Sequence, residues 1–366
     1  MKQKRFAVLV FGAAVALVIG FLAYNFIAAL SVAVFLYYST RWYYKVLAKL
    51  RLPASIRGVI VLVSLALPLI LLISYTLAVL AIEARQLVSQ YPVIDIASRN
   101  LEWFGGIEEF PELTVQGIYQ AYRAGELDVF VTFATENATF LTSLVSGFFL
   151  NLFVVVVVTY YLLVDGARVR QWVLRFDDEA ILREYLEAAD EELETVLRGN
   201  LLNVIVTSII AVAVFQGYNA FAPAPAQVPY PTLAGALTGI ASLIPAIGMK
   251  IVYIPLAGAA AAPVVTGADQ SLLVYVLGFL ILALVVVDTI PDLILRPLFS
   301  GEATHVGLLM LAYTLGPVVL GFYGLFFAPI VLVVGLTFAQ TALPRLLGTE
   351  PEEDGVHRNQ LQLDDF

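Results

Sequence analysis

The chain has 366 residues, of which 60% are hydrophobic and 13% charged, and its mean hydropathy is +0.89. Soluble domains carry roughly 45–50% apolar and about 25% charged residues, so this composition excludes a soluble protein and predicts an all-α, polytopic membrane protein. The absence of cysteine, the two histidines and the net charge of -9 leave no predicted metal or cofactor and exclude nucleic acid as a partner.

Apolar runs long enough to cross a bilayer recur along the whole chain, and we predict roughly seven to eight membrane segments. The runs cover residues 6–38, 56–82, 140–164, 201–221, 233–265, 272–287 and 306–338. The first run is interrupted by Gly20 and Asn25, which favours two short helices or a tight hairpin over one straight span.

Basic residues near the first two spans predict the orientation. Lys and Arg collect on cytoplasmic loops, and here they precede residue 6 and fill residues 41–57. We therefore expect a multi-pass plasma-membrane protein with both termini in the cytoplasm. The predicted membrane parts are two groups of helices at 1–82 and 200–347 and a lone span at 140–164. The other predicted parts are two polar segments at 83–139 and 165–199 and a polar acidic tail at 348–366.

The two polar segments have different predicted roles. Residues 83–139 are acidic and rich in aromatic residues, which predicts a small external helical cap. Residues 165–199 predict a cytoplasmic amphipathic helix with a narrow apolar seam. The seam consists of Leu182, Leu186, Ala189, Leu193 and Val196. It either packs on its own protein or pairs between subunits, so a homo-oligomer is possible.

Two apolar stretches near the C-terminus are broken by glycine and proline. Proline removes a backbone donor and glycine permits sharp turns, so these helices are expected to be discontinuous, whether re-entrant or fully spanning. Such pairs of broken helices mark substrate pathways in transporters, although simple kinks are the alternative. The residues assigned to the pathway are Pro245, Gly248, Lys250, Pro255, Pro291, Pro297, Gly301, Pro317, Gly321, Gly324 and Pro329.

An acidic stripe lies between the broken stretches. Asp288, Asp292 and Arg296 follow one another at intervals of four, so on one helix Asp292 and Arg296 share a face and can pair. Charges at membrane depth usually face a cavity or one another. Two interpretations remain open: a cation-coupling site, or an interfacial ion pair at the end of a helix.

Four further polar residues have two interpretations each. Lys250 either attracts an anion or extends to the membrane interface. His305 is either a proton carrier or an interfacial residue. Asn200 and Asn203 either donate to a substrate or hydrogen-bond between helices.

The motifs of the last third resemble those of the autoinducer-2 exporter family. The resemblance rests on Leu243-Ile-Pro245-x-x-Gly248 with Pro255, on Asp292-x-x-x-Arg296-Pro297 with Gly301, and on Gly321-Phe322-x-Gly324 with Pro329. It implies a permease that exports a small solute or exchanges Na⁺ or Li⁺ for H⁺. The positions it singles out are Pro245, Gly248, Pro255, Asp292, Arg296 and Pro297.

Three functions follow from these features, and a transporter is the favoured one. In the transporter, Asp288 and Asp292 bind the coupling cation, and Arg296 balances their negative charge when no cation is bound. The bilayer and a small solute or ion are then the expected partners, and the protein is not an enzyme. The alternatives are a scaffolding membrane protein without transport activity and, third, an intramembrane aspartyl protease.

Overall fold

The computed structural model describes residues 2–90, 123, 131–132, 135–173, 180–267, 270–300 and 305–347. Among these residues the regular structure is helical, with no strand, which confirms the predicted all-α class. Six helices are long and apolar enough to cross a membrane, and a bent pair brings the number to seven.

Two compact units divide the chain. One comprises Met1–Val63 and Val154–Phe366, and the other Ser64–Phe153. Most of the predicted external cap at 83–139, Gly301 and the predicted tail at 348–366 lie outside the described residues. The predicted orientation of the termini remains an expectation.

In the C-terminal half, short segments of π-helix or 3₁₀-helix lie between the α-helices. The helices are α1 (Lys2–Asn25), α2 (Ile27–Ala48), α3 (Ala54–Gln90), α4 (Ala138–Val173), α5 (Ala180–Phe221), α6 (Pro231–Ala241), α7 (Gly248–Thr266), α8 (Leu273–Leu282), α9 (Arg296–Ser300), α10 (Val306–Leu320), α11 (Gly324–Thr337) and α12 (Leu343–Leu346). Turns of π-helix cover Ala283–Thr289, Pro291–Leu295 and Phe338–Ala342.

The first apolar run forms two helices, one of the two predicted arrangements. α1 and α2 are separated at Phe26 and meet at 81°, so they are close to perpendicular rather than a tight antiparallel hairpin. Asn25 stands at the break, where its side-chain amide donates to the Phe21 carbonyl oxygen at 2.7 Å. The side chain thereby completes the last turn of α1.

Helix α5 runs through the predicted boundary between 165–199 and 200–347. It continues for 42 residues because it contains no proline, and its Gly199 allows the Phe299 backbone to approach closely. A Cβ at Gly199 would lie 2.0 Å from the Phe299 carbonyl oxygen, so only glycine fits there. The amphipathic segment and the following span are therefore one helix, and the sequence boundary at residue 199 is a change of environment.

The seam of α5 is largely covered within the chain. Ala189, Leu193 and Val196 are buried, and Leu193 and Val196 belong to a core formed with α2, α10 and α11. Leu182, at the start of the seam, is 39% exposed. The acidic face of the helix is tied to basic residues by Arg41–Asp190, Lys45–Glu194, Arg170–Glu187 and Arg345–Glu184 pairs. These contacts favour the interpretation in which the helix packs on its own protein.

The second half of α5 packs in a different core. Ala211 and Phe215 join side chains from α6, α7, α8 and the following π-helix, and the Phe215 and Phe279 rings are 5.2 Å apart. Both cores lie in the unit made of residues 1–63 and 154–366. This unit also holds both broken stretches and the acidic stripe.

Candidate functional site

The first broken stretch forms a turn of unusual backbone conformation between α6 and α7. α6 ends at Ala241 and α7 begins at Gly248. Between them Ala246 has φ +61°, in the left-handed region that residues other than glycine rarely adopt. A Cβ at Gly248 would lie 1.7 Å from the Ala241 carbonyl oxygen, so the turn needs glycine there. The predicted discontinuity is confirmed, with Pro245 buried in the turn.

The acidic stripe lies on a helix that widens to π-geometry. Proline lacks an N–H and its ring collides with the carbonyl four residues earlier, and a wider turn accommodates that collision at Pro291. Local π-turns of this kind are frequent at functional sites. Asp288, Asp292 and Arg296 are 4%, 9% and 5% exposed, so all three charged groups are buried.

Asp292 joins the stripe to the broken turn. Its Oδ1 accepts a hydrogen bond from Arg296 Nη2 at 3.1 Å, which is the pairing that the interval of four predicts. Its Oδ2 accepts from the Ala246 backbone N–H at 2.8 Å. Arg296 Nη2 also donates to the Ser242 carbonyl oxygen at 2.7 Å. The ion pair thus satisfies backbone groups that the break in the helix leaves without intrahelical partners.

Asp288 is paired with Lys250, which neither interpretation of that lysine anticipated. Lys250 Nζ lies 2.5 Å from Asp288 Oδ2 and 2.6 Å from the Ala246 carbonyl oxygen. The Tyr253 hydroxyl donates to the same Asp288 oxygen at 3.0 Å. The Lys250 side chain is 38% exposed, whereas that of Asp288 is 5% exposed. This second pair is therefore open on its lysine side and closed on its aspartate side.

The two carboxylates and two cations balance one another. Burying an ion pair usually stabilises a protein little, because desolvation offsets the Coulomb attraction. Charged groups in membrane segments therefore indicate a functional site, and here the partners are Arg296 for Asp292 and Lys250 for Asp288. In the part of the chain that the structure describes, no group of three or more acidic, histidine or cysteine side chains is suited to hold a metal.

A small polar cavity adjoins the site on the other side of Arg296. Asn200, Asn203 and Tyr313 line it together with Arg296. Within the described structure, the amide atoms of both asparagines and the Tyr313 hydroxyl meet no partner of strict hydrogen-bonding geometry. Asn200 on α5 nevertheless interacts with the Tyr313 side chain on α10, as the predicted contact between helices requires, and the same prediction for Asn203 stays a prediction.

The second broken stretch forms a closely packed pair of helices. α10 ends at Leu320, and Gly321 follows with φ +79°. A Cβ at Gly316 would lie 2.3 Å from the Gly324 carbonyl oxygen, so the two backbones touch. With 15 residues, α10 is about 22 Å long, shorter than a bilayer core of roughly 30 Å. This discontinuity too is confirmed.

The other predicted pathway residues are dispersed. Pro329 is buried within α11, and Pro317 is partly buried within α10. Pro255 and Pro297 are exposed. His305 is also exposed and stands at the start of α10, where nothing in the described structure places it beside the acidic stripe.

The broken turn and both ion pairs lie within a region of the chain that matches a known family. The model of the AI-2E family of transporters matches residues 6–343. The chain belongs to this family. A curated relative from Archaeoglobus fulgidus, named "Putative transport protein", is 28% identical over 297 residues, which are 79% of this chain and 79% of the relative. Membership of a transporter family and the six to seven possible spans establish a multi-pass membrane protein.

In this AI-2E family chain, sequence reasoning found the charged residues but missed four groups around them. Ala246 and the Ser242 carbonyl act through the backbone, which no side-chain pattern reveals. Tyr253 carried a signal, since it lies one helical turn after Lys250 on the same face of α7. Tyr313 carried none, because its place beside Arg296 depends on how α10 packs.

Proposed function

We propose that this AI-2E family member is a secondary transporter in which a cation competes with the Lys250 ammonium for binding to the Asp288 carboxylate. The coupling cation would be Na⁺ or Li⁺ moving against H⁺. The observation that carries the proposal is the asymmetry of the pair, a buried carboxylate whose partner ammonium is partly exposed. A proton or alkali ion at Asp288 would remove the attraction that holds Lys250.

Release of Lys250 has a structural consequence in this proposal. Lys250 Nζ also donates to the Ala246 carbonyl oxygen, so the lysine ties Asp288 to the turn between α6 and α7. Loss of that tie would free the first turn of α7 to move relative to the helix that carries Asp288. In transporters, broken helices form the binding site, and one bundle of helices moves against the other around it to alternate access.

Asp292 and Arg296 have a different part in this proposal. Both side chains are at most 10% exposed, and Asp292 also holds a backbone N–H. Because both oxygens of the Asp292 carboxylate already accept hydrogen bonds, this carboxylate is a poor ligand for a transported cation. We therefore assign Asp292 and Arg296 to anchoring the turn, and Asp288 to exchange.

The experiment is a flux assay on the full-length protein in liposomes that contain a pH-sensitive dye. Na⁺ or Li⁺ is added across an imposed pH gradient, with Asp288→Asn in parallel and Asp165→Asn as the matched control. Asp165 pairs with the exposed Arg168 on α4, outside the proposed site. We expect the cation to collapse the gradient with the wild type and the control, and Asp288→Asn to behave as protein-free liposomes do.

Two results would contradict the proposal. Dissipation of the gradient by Asp288→Asn at the wild-type rate would remove Asp288 from the coupling. An inserted, folded wild type that does not respond to either ion would remove cation exchange. Uptake assays with small organic solutes would then separate a solute permease from a scaffolding protein.

A further inference from the structure

The cavity beside Arg296 is lined by polar groups that the protein itself does not satisfy. Asn200 is 5% exposed, Asn203 1% and Tyr313 3%, so these groups are also shielded from solvent. By strict hydrogen-bond geometry the unpartnered atoms are both amide nitrogens, both amide oxygens and the phenol oxygen, although the Asn200 and Tyr313 side chains also interact with each other. A buried polar group without a hydrogen bond destabilises a folded protein, and more so in hydrocarbon. Several such groups around one cavity indicate a bound species.

The space suits a single small occupant. The cavity offers about 10 Å³ to the centre of a water-sized sphere. One water needs roughly 10–15 Å³ by this measure, so the occupant is a water or a monatomic ion. The rest of the lining is apolar and leaves no second polar position: Val196, Gly199, Val306, Leu309 and Met310.

Charge decides between the ions. Arg296 is the charged residue among the described residues of the lining, and none of those residues carries a carboxylate. Among them, an alkali cation would therefore meet a guanidinium and no acid. An anion meets the guanidinium and can accept from two amide nitrogens and a phenol hydroxyl, the kind of donors that bind anions. The two asparagines lie one turn apart on α5, so each amide oxygen is within reach of its neighbour's nitrogen after rotation.

We propose that Asn200, Asn203, Tyr313 and Arg296 form a binding site for a small monovalent anion of the size of chloride. The site is separate from cation exchange at Asp288 and does not depend on it. Arg296 is shared, because its guanidinium also pairs with Asp292. The anion and the Asp292 carboxylate compete for one cation, so occupancy of the cavity weakens the anchor of the turn at Ala246.

The test measures chloride binding to the purified full-length protein in nanodiscs. Bound chloride broadens the chloride NMR signal, and added bromide displaces it from the site. Asn203→Leu removes the amide while keeping the branched shape of the side chain, and Asn151→Leu is the control. Asn151 is an exposed amide on α4 whose nitrogen donates to its own helix, at the Gly147 carbonyl oxygen.

The proposal predicts bromide-sensitive broadening for the wild type and Asn151→Leu, and its loss for Asn203→Leu. The Asn203→Leu protein should unfold at the same or a higher temperature, because the change removes unsatisfied buried atoms. Asp292→Asn should bind chloride more tightly, since the competing charge is gone. A wild type without broadening would mean that the cavity holds only water. Unchanged broadening in Asn203→Leu would place the anion elsewhere, and either result overturns the proposal. Asn200→Leu replaces Asn203→Leu if the latter does not fold.

Discussion

The turn between α6 and α7 and the turn between α10 and α11 are both rich in glycine and proline, yet they are held by different forces. At the first, Asp292 and Arg296 contact the backbone at Ala246 and Ser242. At the second, Gly316 and Gly324 bring two backbones into contact. No charged residue occurs in residues 306–337.

The difference shows that a broken helix can be completed in two ways. Charged side chains can bond the freed backbone groups, or small residues can let a second helix cover them. The first solution depends on charge, and the second depends on shape alone. The first turn is also bonded by Lys250, the partner of Asp288, so it adjoins the pair at which we propose cation exchange. The second turn is suited to holding a fixed helix pair.

The largest effect should come from removing the cation of the first turn. Arg296→Met leaves the buried Asp292 carboxylate without its ion-pair partner, and breaking a buried pair in this way costs about 3–5 kcal/mol. Thermal unfolding in nanodiscs should show the loss. The double variant with Asp292→Leu should recover part of it, because both charges are gone although the Ala246 N–H and the Ser242 carbonyl oxygen lose their partners. A double variant no more stable than Arg296→Met would mean that charge is not what holds this turn.

A smaller loss should follow from adding one methyl group at the second turn. Gly316→Ala places a Cβ against the Gly324 backbone, and overpacking of this kind typically costs ~1–3 kcal/mol. Gly307→Ala is the matched control on the same helix, because a Cβ there meets nothing within 4 Å. Gly307→Ala should be neutral or stabilising, since alanine favours helix. Equal unfolding temperatures for the two variants would contradict a close-packed interface at Gly316.

The smallest effect should distinguish the left-handed residues of the two turns. Ala246→Gly relieves a left-handed conformation that costs an L-residue roughly 1–2 kcal/mol in the folded protein. From this gain we subtract about 0.4–1 kcal/mol, because glycine raises the conformational entropy of the unfolded chain. A gain of up to about 1.6 kcal/mol is expected in unfolding experiments. Gly321→Ala should destabilise instead, through backbone strain alone, because its Cβ would meet no neighbour. The same sign for both changes would refute this account.

Local features of the sequence predicted much of this molecule. Run lengths of apolar residues predicted the helical class and the spans, and proline with glycine predicted both breaks. The Asp292–Arg296 pair followed from an interval of four on one helix. The extents of the helices were predicted less well, because α5 contains no residue that would stop it at the predicted boundary.

The composition and the short-range order of the chain thus determined that it is a membrane protein, where its helices break and which charges share a face. Only the tertiary structure decided that Lys250 meets Asp288, 38 positions apart, and that Ala246 meets Asp292, 46 positions apart. The physical reason is that a helix fixes distances over a few residues through its regular rise. Distances between helices depend on how their faces pack, and intervals along the chain do not specify that packing.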